Sequence, residues 1–148
     1  IGKNGHVAAK SSSTFSSMGV SSFFIDPIEA LHGSMSLISD GDVLIAISKS
    51  GNTPELIAFL KRIKEYKNIN LVLVHSNENS TCKLLSDLDI FVPIEDEADK
   101  FNIIPISSIA VFTILLQSIG VELSYCNNLT KQQFIKNHPG GAIGQIKQ

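Results

Sequence analysis

Ser48, Ser50 and Thr53 are interleaved with Lys49, Gly51 and Asn52 at the junction between an apolar run and a helical pattern. The run, Val43-Leu44-Ile45-Ala46-Ile47, reads as a parallel strand covered on both faces. Beyond it Thr53 suits an N-cap, Pro54 suits the first helical position, and Leu56, Ile57, Leu60 and Ile63 repeat at helical spacing. The first turn of a helix leaves N–H groups unpaired and carries the positive end of the dipole, so it attracts an anion such as a phosphate. Three hydroxyls would add donors around that anion, and Gly51 lets backbone approach closely. The plainer alternative is a tight strand-to-helix connection that its own serines cap. The spacing excludes better-known phosphate loops. G-x-x-x-x-G-K-[ST] is absent, and Gly2-Lys3-Asn4-Gly5 lacks the third glycine and the acidic residue of a dinucleotide site.

Elements on either side must position this turn. A helix is expected from about Gly5 to Met18, stopped by Gly19, with Ile1 as the last residue of a strand that begins before it. Ser22 to Ile25 reads as a strand, and Asp26-Pro27 as the cap and first residue of a short helix carrying Glu29 and His32. Ser39-Asp40-Gly41-Asp42 turns the chain into the Val43 strand, read as the central one. After a helix ending near Lys67 come a strand at Asn70 to His75, a loop at Ser76 to Asn79, a short helix at Cys82 to Leu88 and a strand at Asp89 to Ile94. Pro105 to Ile119 forms an apolar helix closed by Gly120, and Thr130 caps a last short helix to Asn137. This alternation predicts an α/β fold: a doubly wound parallel sheet with helices on both faces. Ligands of such sheets lie beyond the carboxyl ends of the strands, where the Lys3 turn, the Ser48 to Thr53 turn, the His75 loop and Glu95-Asp96-Glu97 all emerge.

Composition agrees with one such domain over residues 1–148. With 148 residues and 43% apolar content the chain can bury a full core. A net charge of -2 and a pI near 6.1 offer no basic face for nucleic acid. No apolar run approaches the length of a membrane span, and a soluble protein is expected. Cys82 and Cys126 have no C-x-x-C spacing, which argues against a metal knuckle and for a reduced intracellular state. A metal cluster of the histidines is not expected.

Four stretches together resemble a known family: Gly2-Lys3-Asn4-Gly5-His6, Glu29-Ala30-Leu31-His32-Gly33, Ser48-Lys49-Ser50-Gly51-Asn52-Thr53-Pro54-Glu55, and His138-Pro139-Gly140-Gly141-Ala142-Ile143-Gly144. The chain resembles a sugar isomerase (SIS) domain, and more narrowly the arabinose 5-phosphate isomerases of lipopolysaccharide and capsule synthesis. The serine turn indicates SIS domains in general; the lysine turn, E-A-x-H-G and H-P-G-G are more specific. The resemblance implies a flavodoxin-like three-layer sandwich and a reversible aldose–ketose isomerisation, D-ribulose 5-phosphate to D-arabinose 5-phosphate, feeding Kdo synthesis in the cytoplasm. It implies no cofactor and no metal, a sugar-phosphate ligand, and homotetramers with active sites shared between subunits. It also implies two CBS domains after the SIS domain, which this sequence does not include.

That chemistry moves a proton from carbon 2 to carbon 1 through an enediolate, which needs a base and a donor to the developing oxyanion. By match to the family motifs the catalytic positions are Lys3, Glu55, Glu97 and His138. Glu97 or Glu55 would shuttle the proton, His138 would assist ring opening or acid–base transfer, and Lys3 would bind a substrate oxygen. Substrate-binding positions are Gly2, Asn4, His32, Ser48, Ser50, Gly51, Asn52 and Thr53. Where family members continue with cysteine and proline after the glutamate, this chain reads Ala98-Asp99-Lys100-Phe101; where they read P-T-S-S-T it has Pro105-Ile106-Ser107-Ser108-Ile109; and Ser34 replaces an aspartate. These departures leave open a related sugar phosphate, or binding of a nucleotide-activated sugar as pathway end product. Rival readings are a non-catalytic sugar-phosphate sensor and a structural SIS subunit.

Overall fold

A computed structural model describes residues 1–146. Three strands, β1 (Val43–Ser48), β2 (Asn70–His75) and β3 (Leu88–Phe91), form a parallel sheet in the order β1-β2-β3. Their register sets Ser48 opposite His75 and His75 opposite Phe91, so the carboxyl ends of neighbouring strands finish level. Helices α1 (Gly2–Ser17) and α5 (Ser107–Cys126) cover one face; α2 (Pro27–Leu31), α3 (Pro54–Tyr66) and α4 (Thr81–Leu85) cover the other. Alternation along the strands feeds both layers. Ala46, Leu71 and Leu73 pack with Leu56, Phe59, Leu60 and Ile63 of α3, while Val74 packs with Val7 of α1 and Phe112 and Leu116 of α5. The short helices α6 (Lys131–Lys136) and α7 (Gly141–Gly144) complete the described chain.

Local chemistry sets the boundaries. The Asp26 carboxylate accepts from the Ile28 and Glu29 N–H groups ahead of α2, and Thr130 and Gln133 form a reciprocal capping box on α6. Gly41 supplies φ +89° in the turn before β1.

Several expectations are corrected. The first helix starts at Gly2, so Ile1 is its N-cap and Lys3 lies in its first turn. Residues 22–25 enter no ladder among the described residues; the Ser22 carbonyl instead accepts from the Ser16 hydroxyl. In this chain β2 is the middle strand and β1 an outer one. Helix α4 stops at Leu85, because the Asp87 carboxylate turns to the Leu71 N–H and β3 begins at Leu88.

The most informative correction concerns Gly120, read as a stop and found inside α5. A Cβ there would lie 3.1 Å from the Phe15 ring of α1, so the glycine serves close helix packing. Read through to Cys126, α5 has 20 residues and a mean hydropathy of 1.6, enough by length and composition for a membrane span. In this fold its Phe112, Leu116 and Gly120 are buried, with Gly120 against α1.

Candidate active site

The sheet register brings the exits of β1 and β2 together. Ser76 N–H donates to the Lys49 carbonyl at 3.0 Å, and Asn77 Nδ2 donates to the Ser50 carbonyl at 2.9 Å. Gly51, at φ +62°, has no room for a Cβ, which would collide with the Ser80 side chain. Its carbonyl accepts from Cys82 N–H at 3.0 Å, and Asn52 Oδ1 accepts from Thr81 N–H at 2.9 Å. The turn is thereby fixed to the start of α4.

This fixed turn keeps its hydroxyl protons available. Ser48 Oγ accepts from Gly51 N–H at 3.1 Å, and Ser50 Oγ accepts from Asn52 N–H at 3.2 Å. An accepting hydroxyl still has its own proton to donate. Thr53 is the N-cap of α3 by position, yet its side chain makes no capping bond. Pro54 brings no N–H, and Ile57 is the residue whose N–H reaches back to the Thr53 carbonyl, so the helix start remains an open anion site.

A cavity of about 360 Å³ opens over these groups, lined by Asn4, Ser48, Lys49, Ser50, Thr53, Ser76 and Asn77. Asn4 Oδ1 and Ser76 Oγ are buried there without a hydrogen-bond partner among the described residues. Unpaired buried polar atoms are uncommon, and a polar ligand or water would satisfy them.

Glu97 reaches this cavity through Lys49. Lys49 Nζ donates to Glu97 Oε1 at 2.8 Å, while Glu97 Oε2 accepts from Ile106 N–H at 2.8 Å and Ser108 N–H at 3.2 Å. Burial alone would raise its pKa. The Lys49 ammonium, Ser108 and the Ile106 N–H outweigh burial and hold the carboxyl at about 2.

The other expected positions stand apart from this cavity. Gly2 and Lys3 are exposed in the first turn of α1, and His32 is the exposed C-cap of α2. Glu55 is exposed in the first turn of α3, two positions past Thr53. His138 follows α6, stacks on Phe134 with ring centroids 4.1 Å apart, and places Nδ1 2.7 Å from the Phe134 carbonyl. A carbonyl can only accept, so Nδ1 carries a proton in that bond, and Nε2 has no hydrogen-bond partner among the described residues.

Sequence reasoning therefore placed Asn4, Ser48, Ser50 and Thr53 where they share one cavity, and passed over Lys49, Ser76 and Asn77. A cation between two candidate phosphate-binding serines was the available signal for Lys49. His75, the last residue of β2, is fully buried. His75, Glu78 and Asp89 bring ligand atoms within 4.8 Å of one another, but the Lys83 ammonium contacts both carboxylates, so the set is an ion-pair network.

A parallel α/β sandwich with a hydroxyl-lined strand-to-helix turn at the carboxyl edge of its sheet defines a class of domain built to hold a small anionic ligand. Within that class, this chain belongs to the SIS domain family, whose model matches residues 1–121. It is 35% identical over 145 residues to the arabinose 5-phosphate isomerase KdsD of Pseudomonas aeruginosa, covering 98% of this chain and 44% of that one. The chain thus spans less than half the length of the curated relatives it matches. Among solved structures, an E. coli CFT073 protein in complex with arabinose 5-phosphate is 33% identical, with a TM-score of 0.89 over 93% of this chain and 73% of that one. A Bacteroides fragilis protein is 27% identical, with a TM-score of 0.90 over 95% of this chain and 74% of that one.

Proposed function

We propose that the protein is a phosphosugar aldose–ketose isomerase that interconverts D-arabinose 5-phosphate and D-ribulose 5-phosphate. The observation that carries this reading is the cavity at the β1 and β2 exits, where Ser48, Ser50 and Thr53 keep hydroxyl protons free around the start of α3. A phosphate seated there anchors the sugar with its carbons directed away from the turn. The names of the curated relatives and the arabinose 5-phosphate ligand of the E. coli CFT073 protein supply the pentose.

The reaction then needs a base at carbon 2, a route for the proton to carbon 1 and a cation or donor at the enediolate oxygen. Of the two carboxylates, Glu55 fits the shuttle better. It is solvent-facing and stands just beyond the phosphate turn, whereas Glu97 is saturated by hydrogen bonds and, with a pKa of about 2, is too weak a base near neutral pH. Lys3 stabilises the enediolate oxygen, and His138, through Nε2, moves a proton in ring opening. Since Lys3, His32 and His138 lie outside the cavity of one chain, a second subunit in a homotetramer completes the site. The product would serve Kdo synthesis, for lipopolysaccharide or capsule, in the cytoplasm.

Proton NMR of D-arabinose 5-phosphate in D2O tests this. Loss of the carbon 2 proton signal together with formation of ribulose 5-phosphate is expected. Ligand-induced thermal stabilisation without exchange would turn the reading toward a sensor, and neither effect would remove the pentose phosphate as ligand.

A further inference from the structure

Lys49 is the single cationic side chain among the residues that line the described cavity, the rest being Ser, Thr and Asn. Neutral hydroxyls can orient a phosphate dianion but leave its charge uncompensated. The Lys49 ammonium has three protons, of which Glu97 Oε1 takes one at 2.8 Å. The others are free for a ligand in the cavity.

Glu97 would cancel this positive charge if its own were not offset elsewhere. It is offset. Its second oxygen sits on the Ile106 and Ser108 N–H groups at the start of α5, a helix of 20 residues whose positive dipole end faces the carboxylate. Its backbone N–H is also tied, donating to Asn102 Oδ1 at 2.6 Å. The Glu97 side chain is 3% exposed against 32% for Lys49, so the anion is buried in its own cradle and the cation is the partner that meets solvent. Meanwhile the Lys49 carbonyl accepts from Ser76 N–H, which fixes the backbone from which the side chain departs.

We propose that Lys49 is a further phosphate ligand of the sugar-phosphate site and that Glu97 is the positioning residue that holds its ammonium at the cavity. This rests on the anion-site reading above and adds selectivity: the pair makes the site prefer phosphorylated, dianionic sugars over their unphosphorylated counterparts. The departure at Ala98-Asp99-Lys100-Phe101 leaves this device intact, because Asn102 and the α5 start supply the cradle.

Calorimetric titration of the full chain with D-arabinose 5-phosphate, with inorganic phosphate and with D-arabinose tests the proposal. Lys49→Gln should weaken binding of both phosphates by about 10-fold or more, flatten their dependence on ionic strength, and leave any D-arabinose binding unaltered. Lys49→Arg should keep affinity within about threefold, which a merely structural effect of losing the lysine would not explain. Glu97→Gln should weaken phosphate binding by about fivefold and shift its pH profile little between pH 6 and 8, because Glu97 is not the group that titrates there. Failure of the unaltered chain to bind either phosphate overturns the anion-site reading and this proposal with it. Binding by the unaltered chain that survives Lys49→Gln overturns the Lys49 assignment alone. Loss with Lys49→Gln but not with Glu97→Gln overturns the positioning role.

Discussion

His75 Nε2 lies 2.9 Å from Asp89 Oδ2, a side-chain bond from β2 to β3 made next to Ser76 and Asn77 of the cavity lining. The other ring nitrogen donates to the Asn77 carbonyl at 2.9 Å, and Asn77 in turn donates through Nδ2 to the Ser50 carbonyl. One line of hydrogen bonds thus runs from the far strand to the phosphate turn. His75→Phe keeps an aromatic volume but leaves the Asn77 carbonyl and the Asp89 carboxylate without their partner. It should lower stability by about 2–3 kcal/mol in urea unfolding and weaken phosphate-ester binding at the same time. Unchanged affinity in a destabilised but folded variant would detach the loop position from this bond.

The phosphate turn itself can be tested by subtracting donors. Ser50→Ala together with Thr53→Ala removes two hydroxyls that are not needed to hold the turn or cap α3, beyond the 3.2 Å bond from Asn52 N–H to Ser50. The expected result is about 10-fold to 100-fold weaker binding of a phosphate ester by calorimetry, with a melting temperature close to the parent's. Equal affinity would move the anion away from this turn.

Gly51 is a different kind of residue. Its φ of +62° and the collision of any Cβ with Ser80 both act against a side chain. Gly51→Ala should cost about 2–4 kcal/mol, and Gly51→Ala with Ser80→Gly should recover the steric part while keeping the backbone part. A double variant no more stable than the single one would show that the crowding is not the cause.

Strands β1 and β2 and the turn between β1 and α3 were legible because each is specified by neighbours in sequence: an apolar run for β1, a second run for β2, Thr53-Pro54 for the start of α3. What escaped depends on contacts between distant segments. Gly120 reads as a stop until Phe15 is beside it; then it is the position where α1 and α5 approach. Lys49 was passed over, because the Glu97 carboxylate at its Nζ lies far along the chain. The same holds for Glu97, whose place among acidic residues gives no hint that the α5 start saturates it. Position at the sheet's carboxyl edge was readable; the division of labour at that edge was not.

The acid limb of stability follows from Glu97. Its carboxyl is ordinarily near 4.5 and is held at about 2 in the fold, so the folded state binds this proton less readily than the unfolded chain. The contribution is therefore fully present above about pH 4.5 and is lost as the pH falls toward 2. With Lys49 partly exposed and screened, it is on the order of 1 kcal/mol. Glu97→Gln should flatten the stability profile over that window, measured by denaturant unfolding at several pH values; an unaltered acid slope would mean that Glu97 is not held ionised.

The two cysteines should differ sharply toward thiol reagents. Cys82 is fully buried in the core behind the Gly51 turn, and burial pushes its thiol up to about 11, which suppresses the reactive thiolate. Cys126 is exposed at the end of α5. At pH 8 the native protein should therefore release one equivalent of a chromogenic disulfide reagent quickly and the second at the rate at which the α4 region opens. Because Cys82 N–H bonds the Gly51 carbonyl, a phosphate ester bound at the turn should slow that second phase further. Cys126→Ser isolates the slow phase, and a ligand-independent rate in that variant would uncouple the phosphate turn from α4.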